Sequence, residues 1–164
     1  MSYNLAAIVL TLGMTVGCAS RSEMPAQAGA GTANTPGAEA AAQLTPQDYE
    51  KFMKSVGTAF PSMQKHLMAN MPSEAADDAQ ELARLFGDVE RFWAQHEKAD
   101  AVKLAQTART HASQAAGAAT AGDVAKASQE ASAMQGACKQ CHGLYREMDP
   151  AGGFRMKAEA IAPR

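Results

Sequence analysis

The sequence predicts an all-α protein built around an antiparallel up-down bundle of four helices. It is rich in alanine, aromatic residues make up only 5% of its 164 residues, and no segment alternates between apolar and polar residues with a period of two. Four segments instead place apolar residues three and four positions apart, which is the period of a helix that buries one face. Because the links between these segments are short, consecutive helices are expected to run antiparallel.

The first 18 residues are typical of an export signal that ends in a cysteine. The apolar run from Leu5 to Gly17 has 13 residues, which is short for a bilayer span but typical of a signal-peptide core. Gly17-Cys18, followed by small residues, resembles a bacterial lipoprotein signal, whose cysteine becomes the lipidated first residue of the mature chain. A plain secretory signal and a buried N-terminal helix are the alternatives. We therefore expect a periplasmic lipoprotein that is anchored to the membrane through Cys18.

The remaining chain divides into a tether, a bundle and a tail. Residues 19–44 are rich in Ala, Gly, Pro, Ser and Thr and carry no helical stripe. Such a segment buries too little apolar surface to offset its ordering entropy, so a flexible tether is expected. The bundle is expected over residues 45–148, and residues 149–164 form a C-terminal tail to which no role is assigned.

The first helix has clear start signals. Thr45 is a suitable N-cap, and Pro46 suits the first helical position. Pro61 interrupts the hydrogen-bond ladder at the carbonyl of Gly57, so a kink is expected between these two residues rather than a break. The apolar stripe consists of Tyr49, Phe52 or Met53, Val56, Phe60, Met63 and Leu67.

The second and third helices differ in the size of their apolar residues. The second is expected to restart after Pro72 with Ser73 as its cap. Its stripe consists of Ala75, Ala79, Leu82, Phe86, Val89 and Trp93. After a short link at residues 94–99, the third helix is expected over about residues 100–119. Its stripe, which is small enough to let a bulky group lie close, consists of Ala101, Leu104, Ala108, Ala112, Ala115 and Ala119.

The fourth helix is expected to open at Asp123 and to end before Asp149-Pro150. Its stripe consists of Val124, Ala127, Ala131, Met134, Cys138, Cys141, Tyr145 and Met148. Two cysteines therefore share the buried face. The third and fourth helices are mostly alanine, so their core is thin, and a large apolar cofactor would fill it.

The segment "CKQCH", residues 138–142, admits four interpretations: a covalent haem site, a redox dithiol, half of a zinc site, or chance. A redox dithiol belongs at an exposed helix start in a βαβ setting, and a zinc site needs two further ligands at matching spacing. For haem, two thiols three residues apart lie on one side of a helix, where they can form thioethers to two porphyrin vinyl groups, and His142 can bind the iron. Export fits as well. One covalent haem c is expected.

The text "AGDVAKASQEASAMQGACKQCHGLYRE", residues 121–147, resembles the cytochrome c′ family in its broad sense, and the likeness extends less specifically over residues 46–148. The resemblance implies that Cys138 and Cys141 hold the haem and that His142 is the proximal iron ligand. Arg146 matches the family's arginine on that side, where it meets a propionate or the proximal pocket.

The same resemblance bears on the sixth iron position. In cytochrome c′ proper the first helix places an aliphatic side chain there, whereas six-coordinate relatives place a methionine followed by lysine. The segment "FMKSVG" puts Met53 at this point, so Met53 is the implied second iron ligand. Met63, His66 and His111 are alternatives without motif support. Of Phe52, Phe60, Phe86, Phe92 and Trp93, all expected in the core, one or two are expected to touch the ring.

Three functions follow from these observations. The first is an electron-transfer cytochrome whose iron is held by histidine and methionine. Such a protein would exchange electrons with redox partner proteins, and both a monomer and a homodimer are compatible with the sequence. The second is a five-coordinate haem protein that binds a small gas such as nitric oxide, and the third is a haem-free structural helical lipoprotein. The sequence shows no feature that suggests a substrate pocket with acid and base groups, so an enzyme is not expected. A net charge of −2 without a basic stripe argues against nucleic acid as a partner.

Overall fold

The computed structural model describes residues 43–162, in which four long helices pack against one another. They are α1 (Pro46–Met68), α2 (Pro72–Gln95), α3 (Ala99–Thr120) and α4 (Val124–Tyr145). Each is joined to the next by three residues and packs on that neighbour, which confirms the predicted helical bundle. The predicted signal segment, the predicted lipidation site Cys18 and all but the end of the predicted tether lie outside the described residues.

The start of α1 agrees with the sequence. Thr45 is the N-cap, and Pro46 occupies the first turn. The Asp48 amide donates to Thr45 Oγ1 (3.2 Å), while the Thr45 amide donates to Asp48 Oδ2 (3.0 Å), so the two residues form a reciprocal capping box. The hydrogen bond from the Thr45 side chain is the largest of the effects that lower the pKa of Asp48 to about 2.

The helix α1 continues through Pro61 without a break. Proline removes one hydrogen bond of the helix ladder, the one to the carbonyl of Gly57. Both Gly57 and Pro61 are exposed, so this carbonyl lies on a side of the helix that solvent can reach. The helix can therefore tolerate the proline at modest cost.

Ser73 is not the cap of α2, contrary to the prediction. The helix begins at Pro72, and its N-cap is Met71, which lies two residues before the predicted cap and makes no side-chain capping hydrogen bond. The fixed φ of Pro72 suits the first helical position and stands in for a polar cap. Ser73 consequently lies inside the first turn.

The core is bulky on one side and thin on the other. The helix α2 contributes large buried side chains, namely Leu82, Leu85, Phe86, Val89, Phe92 and Trp93. Every buried residue of α3 is alanine, and α4 adds only Met134 to three buried alanines. Contact between α1 and α4 is sparse, unlike the close packing of consecutive helices. The bundle therefore has an opening along the line between α1 and α4.

The C-terminal region differs from the prediction. The helix α4 ends at Tyr145, so Met148 is not part of its stripe but lies in a short strand. Strand β1 (Arg146–Met148) pairs antiparallel with β2 (Phe154–Met156), and α5 (Ala158–Ile161) follows. We call the segment Arg146–Met156 the C-terminal hairpin.

Three contacts explain why the chain turns back after Tyr145. The Lys157 amide donates to the carbonyl of Tyr145 (2.9 Å), and Lys157 Nζ donates to the carbonyl of Leu144 (2.8 Å), so carbonyls at the end of α4 are satisfied. Positive φ angles at Gly152 and Gly153 reverse the chain between the strands. Ala160 is buried against the bundle. The predicted tail is thus folded onto the bundle as far as it is described.

None of the helices within residues 43–162 combines the length and apolarity that a bilayer-spanning segment requires.

We predict that Thr45→Ala destabilises the fold and weakens its dependence on acid. Loss of an N-cap costs about 1 kcal/mol of unfolding free energy. The pKa of Asp48 is about 2 in the fold, against an ordinary value of 3.8, so its contribution is present above pH 3.8 and is lost as the pH falls towards 2. Denaturant unfolding at neutral and acid pH measures both effects.

Thr58→Ala is the matched control, because Thr58 Oγ1 donates only to the carbonyl of Lys54 within α1. It should leave stability nearly unchanged. Equal destabilisation by the two substitutions would contradict the role assigned to the cap.

Candidate functional site

A cavity of about 710 Å³ occupies the opening between α1 and α4. Its volume lies within the range of about 300–1,000 Å³ that is usual for small-molecule sites. The helices α2 and α3 contribute its floor, and the C-terminal hairpin borders it as well. Its aliphatic and aromatic lining residues include Tyr49, Val56, Phe60, Phe86, Val89, Leu104, Phe154 and Met156.

The cavity follows from the alanine-rich sequence. Ala105 and Ala108 of α3, together with Ala137 of α4, face it with a single methyl group each. Gly57 lines the α1 side, and a Cβ added there would meet no atom within 4 Å. Small residues on three helices therefore leave open volume where larger side chains would have closed the core.

Five residues that the sequence singled out meet at this cavity. Cys138, Cys141 and His142 reach it from the last two turns of α4, Met53 reaches it from α1, and Arg146 reaches it from the start of β1. The sequence placed the first three together through their spacing. The structure adds that Met53 and Arg146 border the same space.

The two cysteines are free thiols in an apolar setting. Both are partly buried, and no disulfide joins them. Burial raises the pKa of each thiol to about 11, and for Cys141 the neighbouring Cys138 and then Asp100 add to the effect. A redox or nucleophilic dithiol depends on the thiolate, which is scarce here at neutral pH. Both cysteines are therefore neutral thiols at neutral pH, which does not suit a redox or nucleophilic dithiol.

His142 is held in its neutral form. Burial, followed by the positive charge of Arg146, lowers the pKa of its imidazole. A neutral imidazole has the free lone pair that binds a metal ion. Within the described part of the chain, no three His, Cys, Asp or Glu side chains are grouped as metal ligands.

The other candidate ligands for a metal lie away from the cavity lining. Met63 is completely buried in the core. His66 Nδ1 lies 2.8 Å from Asp78 Oδ2, and His111 Nδ1 lies 2.8 Å from Glu130 Oε2. Each of these histidines is thus engaged by a carboxylate on a neighbouring helix. Among the four side chains considered for this role, Met53 is the one that lines the cavity.

The aromatic residues divide into two groups. Phe60 and Phe86 line the cavity, whereas Phe52 does not. Phe92 and Trp93 are completely buried in the core, where their ring centroids lie 5.2 Å apart. Phe60 and Phe86 are therefore the two of the five aromatic residues considered that could contact a ligand.

Several lining residues were not predicted to belong to the site. Tyr49 lies one turn before Met53 on α1, and this spacing of four residues was a usable signal. Phe154, Arg155 and Met156 come from the C-terminal hairpin. Their strands have three residues each, too few for a periodic pattern to identify.

Tyr145 links the site to α3. Its hydroxyl donates to Asp100 Oδ1 at 2.5 Å, and its ring centroid lies 4.6 Å from that of Trp93. Both contacts fix the last turn of α4, which carries His142. Tyr145, a member of the predicted stripe of the fourth helix, thus packs against α2 and bonds to α3.

Comparison of the chain with models of protein families, with curated proteins and with solved structures gave no match.

Proposed function

We propose that the protein is an exported c-type cytochrome that carries electrons on one covalently bound haem. The observation that supports the proposal best is the convergence of Cys138, Cys141, His142 and Met53 on a single apolar cavity. Two of the four helices supply these residues, and the cavity is of the size that a cofactor needs.

The residues present fit the chemistry of such a group. The thiols of Cys138 and Cys141 are free and neutral, and they are three residues apart on α4. Each can add its S–H bond across a vinyl group, a step that consumes no oxidant. The neutral imidazole of His142 follows directly. When bound, the haem would supply an iron that alternates between two oxidation states.

The charges around the cavity suit a ligand with two carboxylates. Basic side chains outnumber acidic ones in the lining, because Glu50 is accompanied by Lys54, Lys139, Arg146 and Arg155. Charge-assisted hydrogen bonds between guanidinium and carboxylate groups are strong. Arg146 would hold one propionate, in keeping with the role implied by the resemblance to cytochrome c′.

Met53 favours electron transfer over gas binding. Its thioether is a soft, neutral ligand that raises the reduction potential of haem iron. As an iron ligand, Met53 would also exclude small gases from the iron. Val56, Phe60 and Phe86 line the same cavity and would exclude water. The partners of such a protein are redox proteins, and neither catalysis nor nucleic-acid binding is part of the proposal.

We predict that the protein carries one haem when it is made with the c-type maturation machinery. Mass spectrometry should show one added haem that survives acid-acetone extraction, because thioether bonds resist it. Cys138→Ala or Cys141→Ala should remove one of the two attachments and much of the holoprotein. Gln140→Ala, at an exposed position between the cysteines, is the control and should retain the haem. An unmodified wild-type mass would contradict the proposal.

We predict that Met53→Leu converts a low-spin haem into a high-spin haem. The wild type should bind carbon monoxide slowly when reduced, and the variant should bind it readily, since leucine cannot ligate iron. Visible spectra and stopped-flow mixing measure the change. Met63→Leu, on the same helix but in the core, should leave the spectrum unchanged. A wild type that is already high-spin, with a spectrum that Met53→Leu does not alter, would support the gas-binding alternative.

The proposed periplasmic location and membrane anchor depend on the sequence of the first 18 residues. We predict that Cys18→Ser releases the protein from the membrane fraction, because serine cannot receive the thioether-linked lipid. Cell fractionation followed by immunoblotting measures the distribution. A wild type that is already soluble in the periplasm would instead indicate a plain secretory signal.

A further inference from the structure

The C-terminal hairpin presents one mixed face beside the cavity. Side chains alternate along a strand, and directly paired residues share a face of the sheet. The register pairs Arg146 with Met156 and Met148 with Phe154, so these four side chains lie on the same face. Three of them, all but Met148, line the cavity. Arg155, whose Nε lies 2.9 Å from Glu147 Oε1, borders the cavity too.

Phe154 lies beside the cavity and is largely exposed to solvent. The residue is 60% exposed, although burial of an aromatic ring is favourable. The ring is nevertheless held in place, because the guanidinium carbon of Arg146 lies 3.9 Å from the ring centroid, the geometry of a cation–π contact. An apolar surface is therefore fixed at the rim of the cavity.

The hairpin itself is anchored to the bundle. Lys157 bonds to carbonyls at the end of α4, and Ala160 packs into the core just beyond. The turn is closed by Asp149, whose carbonyl accepts from the Gly152 amide (2.9 Å) and whose Oδ1 accepts from the Ala151 amide (2.8 Å). The backbone of the hairpin is thus held by contacts outside the cavity, whereas the Phe154 ring stacks on Arg146 at its rim.

We propose that the C-terminal hairpin is a wall of the haem site, in which Phe154, stacked on Arg146, packs on the edge of the bound ring. This inference rests on the proposed function. The occupant is argued from the surface that faces it: an aromatic ring packs well on a flat conjugated ring, and the same ring fills the cavity that Phe154 borders. A wall at this point keeps water from the haem edge.

The test is the reduction potential of the holoprotein. Phe154→Ala opens the haem edge to water, and greater solvent exposure stabilises the charged oxidised state, so the potential should shift downward. Phe154→Leu keeps an apolar side chain and should restore most of the wild-type value. Met148→Ala is the matched control, because Met148 lies opposite Phe154 on the same face, is 66% exposed and does not line the cavity. It should leave the potential unchanged.

Each outcome separates this inference from the proposed function. If mass spectrometry shows haem in all variants but Phe154→Ala behaves like Met148→Ala, the hairpin is not a wall of the site and the cytochrome proposal stands. A change in sedimentation with no change in potential would assign the exposed face to contacts between protein molecules and would overturn the inference. A wild type without haem would overturn both proposals. The mass spectrum would then identify the absence of haem, and not the role of the hairpin, as the cause.

Discussion

The buried alanines of α3 and α4 let these two helices pack closely against each other. Their side chains are too small to fill the space between these helices and α1. A buried alanine brings two helix backbones near, whereas it leaves room wherever a third element stays further away. The bulky residues of α2 fill the core on their own side, and α1 packs mainly on α2. The cavity between α1 and α4 is the volume that remains. This uneven distribution of side-chain size explains where the cavity lies, why its walls are apolar and why it lies next to the cysteines.

The same low-polarity environment governs the chemistry of the site. Burial disfavours charge, so it holds the two thiols protonated and the imidazole neutral. Neutral thiols are poor nucleophiles towards most reagents, and a neutral imidazole is a good metal ligand. Charged side chains are kept to the rim, where Arg146 and Arg155 can reach water. One physical cause thus makes the residues of the site unsuited to redox cycling of sulfur and suited to holding a cofactor.

Sequence patterns were informative where a signal repeats over many residues. The helices are 22–24 residues long, so their apolar period was unmistakable, and the Thr45 cap could be identified because its partner Asp48 is local. Ser73 was assigned wrongly as a cap, because a proline at the first helical position can serve instead of a polar side chain. Met148 continues the spacing of the α4 stripe but lies beyond the helix end, which Lys157 fixes through contacts distant in sequence.

The residues of the candidate site also differ in how well the sequence predicts them. The spacing of Cys138, Cys141 and His142 fixes their mutual position on one helix, so the sequence alone could group them. Met53 joined them only through a resemblance, and its place beside the cavity required the packing of α1. Phe154 and Met156 could not be predicted, because a hairpin of two three-residue strands has no periodic signature. The hydrogen bonds of Lys157 to the end of α4 and the packing of Ala160 bring these residues to the cavity.

The sparse contact between α1 and α4 has a consequence for motion. Local opening of a protein is governed by how few contacts an element must give up, so different elements open at different free energies. The pair α2 and α3 shares the closest packing in the bundle, whereas α1 holds mainly to one neighbour. We expect α1 to swing away from the bundle more often than α2 and α3 separate. Since α1 covers one side of the cavity, such excursions would admit a large rigid molecule while α2 and α3 stay packed together.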